Sequence, residues 1–214
     1  MDDIDAHKPA AYPPSETALL LLDCQNFLVS MIPDQEQKNK LRSSAKTLLD
    51  TARKNNVAIV HCMIDTTQDP SPANKMSEQW LTVFKPILSS VPAAGAELAD
   101  IAAMTGDKIE GGARRETVSM RPPGPRSAFV AEGLESLLRD GKLWGEHLIL
   151  GGVATSGAVL GTALHGTDLG FVVTIVEDSC WDPNQGVHRA LIDTVIPAQA
   201  WVASVEEAVG YMSA

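Results

Sequence analysis

Three places along the chain carry groups that can do chemistry on a small molecule. The first is Asp23, which closes the apolar run TALLLLDCQN. A carboxyl at the end of a buried strand is either an acid or base of altered pKa or a cap for a nearby loop amide. The second is the pair Arg121 and Arg126 in the loop RPPGPR. Their planar, permanently charged groups suit a substrate carboxylate through paired hydrogen bonds better than they suit proton shuttling. The third is GGVATSGAVLGTALHGTDLGF, residues 151–171, where a strand ends, a turn of small residues follows and a helix begins. Free backbone N–H groups and the positive end of the helix dipole over Val153, Ala154, Thr155, Ser156 and Gly157 suit an anion or a developing oxyanion. The same small residues would also let the helix pack close to the sheet.

Other reactive side chains are weaker candidates. Cys24 alternates away from Asp23 and Gln25, so it reads as a core thiol rather than a nucleophile. His61 and Asp65 follow the second apolar run, where His61 is read as a satisfied strand-end histidine. No metal-ligand spacing is present, and no metal or cofactor is expected. His165 and His188 read as structural or surface residues. Thr155 and Ser156 are placed to cap the helix. Trp80 and Phe84, four apart, form a helix face or cover the pocket. Phe129 lines the pocket or packs in the core.

These residues need elements to position them. TALLLLD reads as a parallel strand buried on both faces. A helix follows it, with Leu41, Ala45, Leu48, Leu49 and Ala52 on one stripe. VAIVHCMI is a second buried strand, which completes a βαβ unit. SEQWLTVFKPILSS suggests a helix stopped by Pro86, and AAGAELADIAAMTGDKIEGGARRE a short helix with loops. TVSM is a short strand, and AEGLESLLRDGK a helix ended by Gly141. EHLILGG and FVVTIVED are strands on either side of a small-residue helix closed by Gly170. NQGVHRALIDTVI is a helix stopped by Pro197, AWVASV the last strand, and EEAVGYM a terminal turn. Strands and helices alternate without an internal repeat. The expected fold is α/β: a three-layer α/β/α, Rossmann-like domain over residues 17–214, preceded by an arm at 1–16.

The chain has 214 residues and a formal net charge of −10. No basic surplus exists to offset phosphate charge, so nucleic acid and anionic membrane are not expected partners. A local basic pocket for a small anionic substrate remains compatible with that balance. Three widely spaced cysteines, Cys24, Cys62 and Cys180, imply no disulfide framework, and a cytoplasmic setting is expected.

The blocks LLLLDCQNFL, RSAFVAEGLESLLR and LILGGVATSGAVLGTALHGTDLGFVVTIVEDSC resemble the isochorismatase-like cysteine hydrolase superfamily. Their order and spacing match from about residue 17 to the end. The resemblance implies a sheet of about six parallel strands with helices on both faces, hydrolase activity, a homo-oligomer (dimer or tetramer) and a cis peptide at Val153–Ala154. It also implies an Asp–Lys–Cys working set. Asp23 matches the Asp. Ala158 stands at the position of the Cys. No lysine precedes the SAF block; Arg121 and Arg126 are the candidates for its place.

Ala158 has no atom that can attack a carbonyl, so covalent amide hydrolysis at that position is excluded. Vinyl ether hydrolysis needs only an acid and water. The isochorismatases in this superfamily also lack the cysteine, and loss of the lysine would favour a protonated Asp23 provided that no arginine replaces it. Two other readings stand beside this one: a binding protein that has lost turnover, and a cysteine amidase inactivated by Cys-to-Ala at 158.

Overall fold

The computed structural model describes residues 6–103, 108–109, 112–113, 115–139 and 145–213. The strands are β1 (Thr17–Leu22), β2 (Ala58–Ile64), β3 (Lys108–Ile109), β4 (Gly112–Ala113), β5 (Glu116–Arg121), β6 (His147–Val153), β7 (Val172–Trp181) and β8 (Trp201–Ala203). β3 and β4 pair as a small antiparallel ribbon. The other six form one parallel sheet in the order β5-β2-β1-β6-β7-β8. The expected three-layer α/β architecture is therefore the observed one.

The helices are α1 (Asn26–Ser30), α2 (Gln35–Lys54), α3 (Met76–Gln79), α4 (Lys85–Ser90), α5 (Leu134–Arg139), α6 (Leu160–Asp168), α7 (Gln185–Ala190) and α8 (Val205–Tyr211). Alternation along the buried strands divides the core in two. Leu20, Leu22, Val60 and Leu150 face α5 and α6. Leu19, Leu21, Ile59 and Ile149 face α2 and α8. The α2 stripe of Leu41, Ala45, Leu48, Leu49 and Ala52 is buried as its spacing requires.

The sheet order decides where a ligand can bind. From β1 the chain runs outward through β2 to β5, then returns to β6 on the other side of β1. The crevice at the carboxyl ends of β1 and β6 is the switch point of the sheet. Leu22 pairs with Gly152 there, so Asp23 and Val153 leave the sheet side by side. A Cβ on Gly152 would lie 2.0 Å from the Leu22 carbonyl oxygen, so only glycine admits this approach of the two strands.

Several local expectations are corrected. Pro86 does not stop a helix: Met76–Ser90 continues through it, with a wide i→i+5 turn at Trp80–Phe84 just upstream. Widening the ladder there makes room for a residue that brings no N–H. Pro197 does end its helix as expected, in a last 3-10 turn, Ile196–Ala198, which follows a second wide turn at Leu191–Val195. The C-terminal EEAVGYM is a helix, α8, rather than a turn. Ser204 and Glu207 form its capping box, a signal legible as S-x-x-E. Gly170 closes α6 in the left-handed region, as expected (φ 86°). The helix end expected at Gly141 lies outside the described residues, as does part of the 93–116 stretch.

Candidate active site

Asp23 takes a positive φ of 55°, which removes it from the strand alternation, and its amide donates to the Cys62 carbonyl at 2.8 Å. The side chain is buried at 3% exposure. Arg121 ends β5, two strands away, where it pairs with Ile64 of β2. It reaches across β2 and donates from Nη1 to Asp23 Oδ1 at 2.7 Å and from Nη2 to Oδ2 at 2.6 Å. Its Nε donates to the Pro125 carbonyl at 3.0 Å, so the RPPGPR loop holds its own arginine in place. Between the two arginines, it is Arg121 that takes the position beside Asp23. Burial raises the Asp23 pKa from its ordinary value, and Arg121 opposes that rise without cancelling it.

Asp23 and Arg121 form the floor of a cavity of about 170 Å³. Leu28, Met31, Ile64, Trp80, Phe84 and Trp181 give it apolar walls. Val153, Ala154, Ser156, Gly157 and Ala158 line a further side, and Arg126 stands at its edge. The charged lining is thus one carboxylate and two guanidinium groups, a local positive surplus in a chain of net charge −10. Trp80 and Phe84 do both things proposed for them. They pack on Phe27 in a small satellite core, and they wall the pocket.

The turn after β6 is tighter than expected. The Val153–Ala154 peptide is cis. The Ser156 amide donates to Asp182 Oδ2 at 2.8 Å, and the Gly157 amide to the Ala154 carbonyl at 2.9 Å. These two N–H groups are therefore used within the protein, and the anion site expected from the backbone over 153–158 is smaller than the sequence suggested. Thr155 is fully buried and bonded to His188 Nδ1 at 2.8 Å, so it neither caps the helix nor lines the cavity. Phe129 is also outside the cavity. It stacks on Phe171 with centroids 5.6 Å apart and packs against His165, because the SAF segment turns its aromatic ring toward the small-residue face of α6. His165 bonds Ser127 at 3.0 Å and serves structure.

Sequence reasoning missed Asp182. It is buried at 1% exposure, bonds the Ser156 amide through Oδ2, and accepts from the Asn184 amide through Oδ1. Its signal was available: CWDPN places an acid just beyond a strand, as DCQN does for Asp23. His61 is not at a strand end but within β2. It is fully buried, with Glu97 at 2.8 Å from Nδ1 and Glu116 at 2.9 Å from Nε2. Asp65 is taken up by Thr67 and Gln68. Cys24, Cys62 and Cys180 are buried core thiols, and burial pushes their pKa values up, that of Cys180 to about 12. Among the described residues, no group of three or more His, Cys, Asp or Glu side chains is arranged to hold a metal ion, and no helix is long and apolar enough to cross a membrane.

Comparison with known proteins bears on the family and the fold. The model of the isochorismatase domain matches residues 17–99 and 122–207. A cysteine hydrolase from Pseudomonas syringae pv. phaseolicola 1448A superposes with a TM-score of 0.73 at 17% identity, covering 93% of each chain. An isochorismatase family protein from Desulfovibrio vulgaris gives 0.71 at 18% identity, over 93% of this chain and 99% of that one. N-carbamoylsarcosine amidase from Thermoplasma acidophilum gives 0.64 at 17% identity, over 89% and 97%. At these identities the structural likeness speaks for the fold. No curated protein matches the sequence.

Proposed function

Because the chain belongs to the isochorismatase family, we propose that it is a hydrolase of a small anionic substrate that works without a cysteine nucleophile, with Asp23 as its acid and base. The observation that carries this reading is the floor of the cavity. A carboxyl whose pKa is raised by burial lies beside a fixed guanidinium, and the methyl of Ala158 lines the pocket where the resemblance implies a thiol.

The chemistry that fits is vinyl ether hydrolysis. Protonated Asp23 gives its proton to the enol ether carbon. The resulting oxocarbenium ion is trapped by water, and the hemiketal collapses to a carbonyl compound and an alcohol. The proton released by the added water returns to the Asp23 carboxylate, which closes the cycle. Arg121 stabilises the carboxylate formed in the first step, since both of its forks already point at the two oxygens. The same contact has a cost. An arginine does occupy the place beside Asp23, so the condition under which loss of the lysine would favour a protonated resting state is not met. The fork holds the carboxylate at rest, and protonation requires it to loosen.

That fork also favours a second reading, in which the pocket binds a ligand and does not turn it over. Incubation of the purified protein with small ring-bearing vinyl ethers that carry one carboxylate, with the dicarboxylate isochorismate as comparison, followed by product analysis, separates the two. We expect hydrolysis, with kcat/KM lowered at least about 100-fold in Asp23→Asn, the usual scale for loss of an acid–base group. Full activity in that variant removes Asp23 from the mechanism, and absence of turnover in the native chain leaves the binding reading. Amide hydrolysis gained by Ala158→Cys would instead identify an inactivated amidase.

A further inference from the structure

We infer that Arg126, laid in a groove formed by Gly157 and Gly161, is the group that reads the anion of the ligand, and that this ligand is a small aromatic or cyclic monocarboxylate. The inference rests on the pocket being a substrate site as proposed above, but its test reads binding alone.

The groove is a matter of missing side chains. A Cβ on Gly161 would lie 2.7 Å from Arg126 Cβ, and one on Gly157 would lie 3.3 Å from Arg126 Nη1. The two glycines are four apart, so the arginine stem runs along the helix and its guanidinium ends over the turn that carries Ala158. Any side chain at Gly161 would push the stem away.

Arg121 and the amides of Ser156 and Gly157, other sources of positive charge at the turn, are already engaged. Arg121 is matched by both oxygens of Asp23. The Ser156 amide meets the buried carboxylate of Asp182, which offsets the positive helix end and repels a second anion there. Arg126 differs. Its hydrogen-bond partner is the thioether of Met76, a weak acceptor, and among the described residues it forms no salt bridge with a carboxylate. An incoming carboxylate would displace the sulfur and gain a paired, charge-assisted contact.

The walls define the rest of the ligand. Trp80, Phe84 and Trp181 present aromatic surface, and Met31 and Met76 present thioethers, which pack well on flat rings. The cavity of about 170 Å³ has room for one ring and its substituents. With Arg121 neutralised by Asp23, a second negative charge would meet no free cation on the floor. A single carboxylate on an apolar ring satisfies these constraints together.

Benzoate is the probe, with benzamide as its neutral isostere, and binding is followed by calorimetry and by quenching of tryptophan fluorescence. We expect benzoate to bind the native chain and to lose about 10- to 100-fold in affinity in Arg126→Ala, the range for a hydrogen bond to a charged group. Benzamide should bind the native chain more weakly by a similar factor. Gly161→Ala, which keeps the charge but presses on Arg126 Cβ and on the backbone of residues 126 and 127, should weaken benzoate and also lower the melting temperature, whereas Arg126→Ala should keep circular dichroism and melting close to native. Failure of benzoate to bind, equal affinity in Arg126→Ala, or equal affinity for benzamide would overturn the inference. Benzoate binding through Arg126 in a protein that fails to hydrolyse vinyl ethers would overturn the proposed reaction and leave this inference standing.

Discussion

Arg121→Ala is expected to destabilise the protein by about 3–5 kcal/mol, the cost of stranding one partner of a buried ion pair. The reason lies in the surroundings of Asp23. Its carboxylate is 3% exposed, and Arg121 donates to both of its oxygens at 2.6–2.7 Å. Without the guanidinium, the acid must either stay charged in a dry pocket floor or take up a proton, and both cost free energy. The Pro125 carbonyl loses its donor as well, so the RPPGPR loop loosens with it. Urea denaturation of Arg121→Ala, Asp23→Asn and the double variant tests this. The double variant should be more stable than Arg121→Ala, because the penalty belongs to the uncompensated charge and not to either side chain alone. A loss below about 1 kcal/mol in Arg121→Ala, the scale of an exposed pair, would show that the pair is solvated.

A loss of similar size, about 3–5 kcal/mol, is expected for His61→Ala. Glu97 and Glu116, buried on either side of the imidazole, would both lose it, although Arg53 still donates to both oxygens of Glu116. The consequence extends beyond the cluster. Glu97 also accepts from the Ala103 amide, and the backbone of residues 94–96 accepts from Gln25, Asn26 and Phe27, just after Asp23. A loosened Glu97 therefore frees a segment that braces the wall of the pocket.

The same cluster makes stability depend on pH. Burial lowers the His61 pKa, but the hydrogen bonds and charges of Glu116 and Glu97 together raise it further, and the net direction is up. A histidine whose folded pKa lies above its unfolded value of about 6.5 adds stability that is complete below that pH. This contribution is lost as pH rises through the folded pKa. The native protein should become less stable over that window, and His61→Gln should flatten the dependence. A native curve that rises with pH above 6.5, or a His61→Gln curve of the same slope, would count against a charged His61.

Much of the fold was legible because burial on both faces writes continuous apolar runs, and amphipathic packing writes a stripe. TALLLLD, VAIVHCMI and EHLILGG became β1, β2 and β6, and the buried face of α2 follows its heptad-like spacing. Proline misled at Pro86, since a wide turn absorbs what an ideal helix cannot, but marked the helix end at Pro197. At the site, Asp23 and the 151–158 turn stood out because an acid after a buried strand and a run of small residues before a helix are local patterns.

By itself, then, the sequence determined the α/β class, the family to which the chain belongs, the carboxyl at the end of β1 and the methyl where the resemblance implies a nucleophile. Only the tertiary structure decided which arginine meets Asp23, because that depends on the register of β5 against β2 and on how the proline loop folds back. It also decided that Phe129 and Thr155 turn away from the cavity while Arg126 and Trp181 face it. Local patterns record what a residue needs from solvent and from its nearest neighbours along the chain. Partners separated by 98 positions, as Asp23 and Arg121 are, meet only when the strand order brings them together.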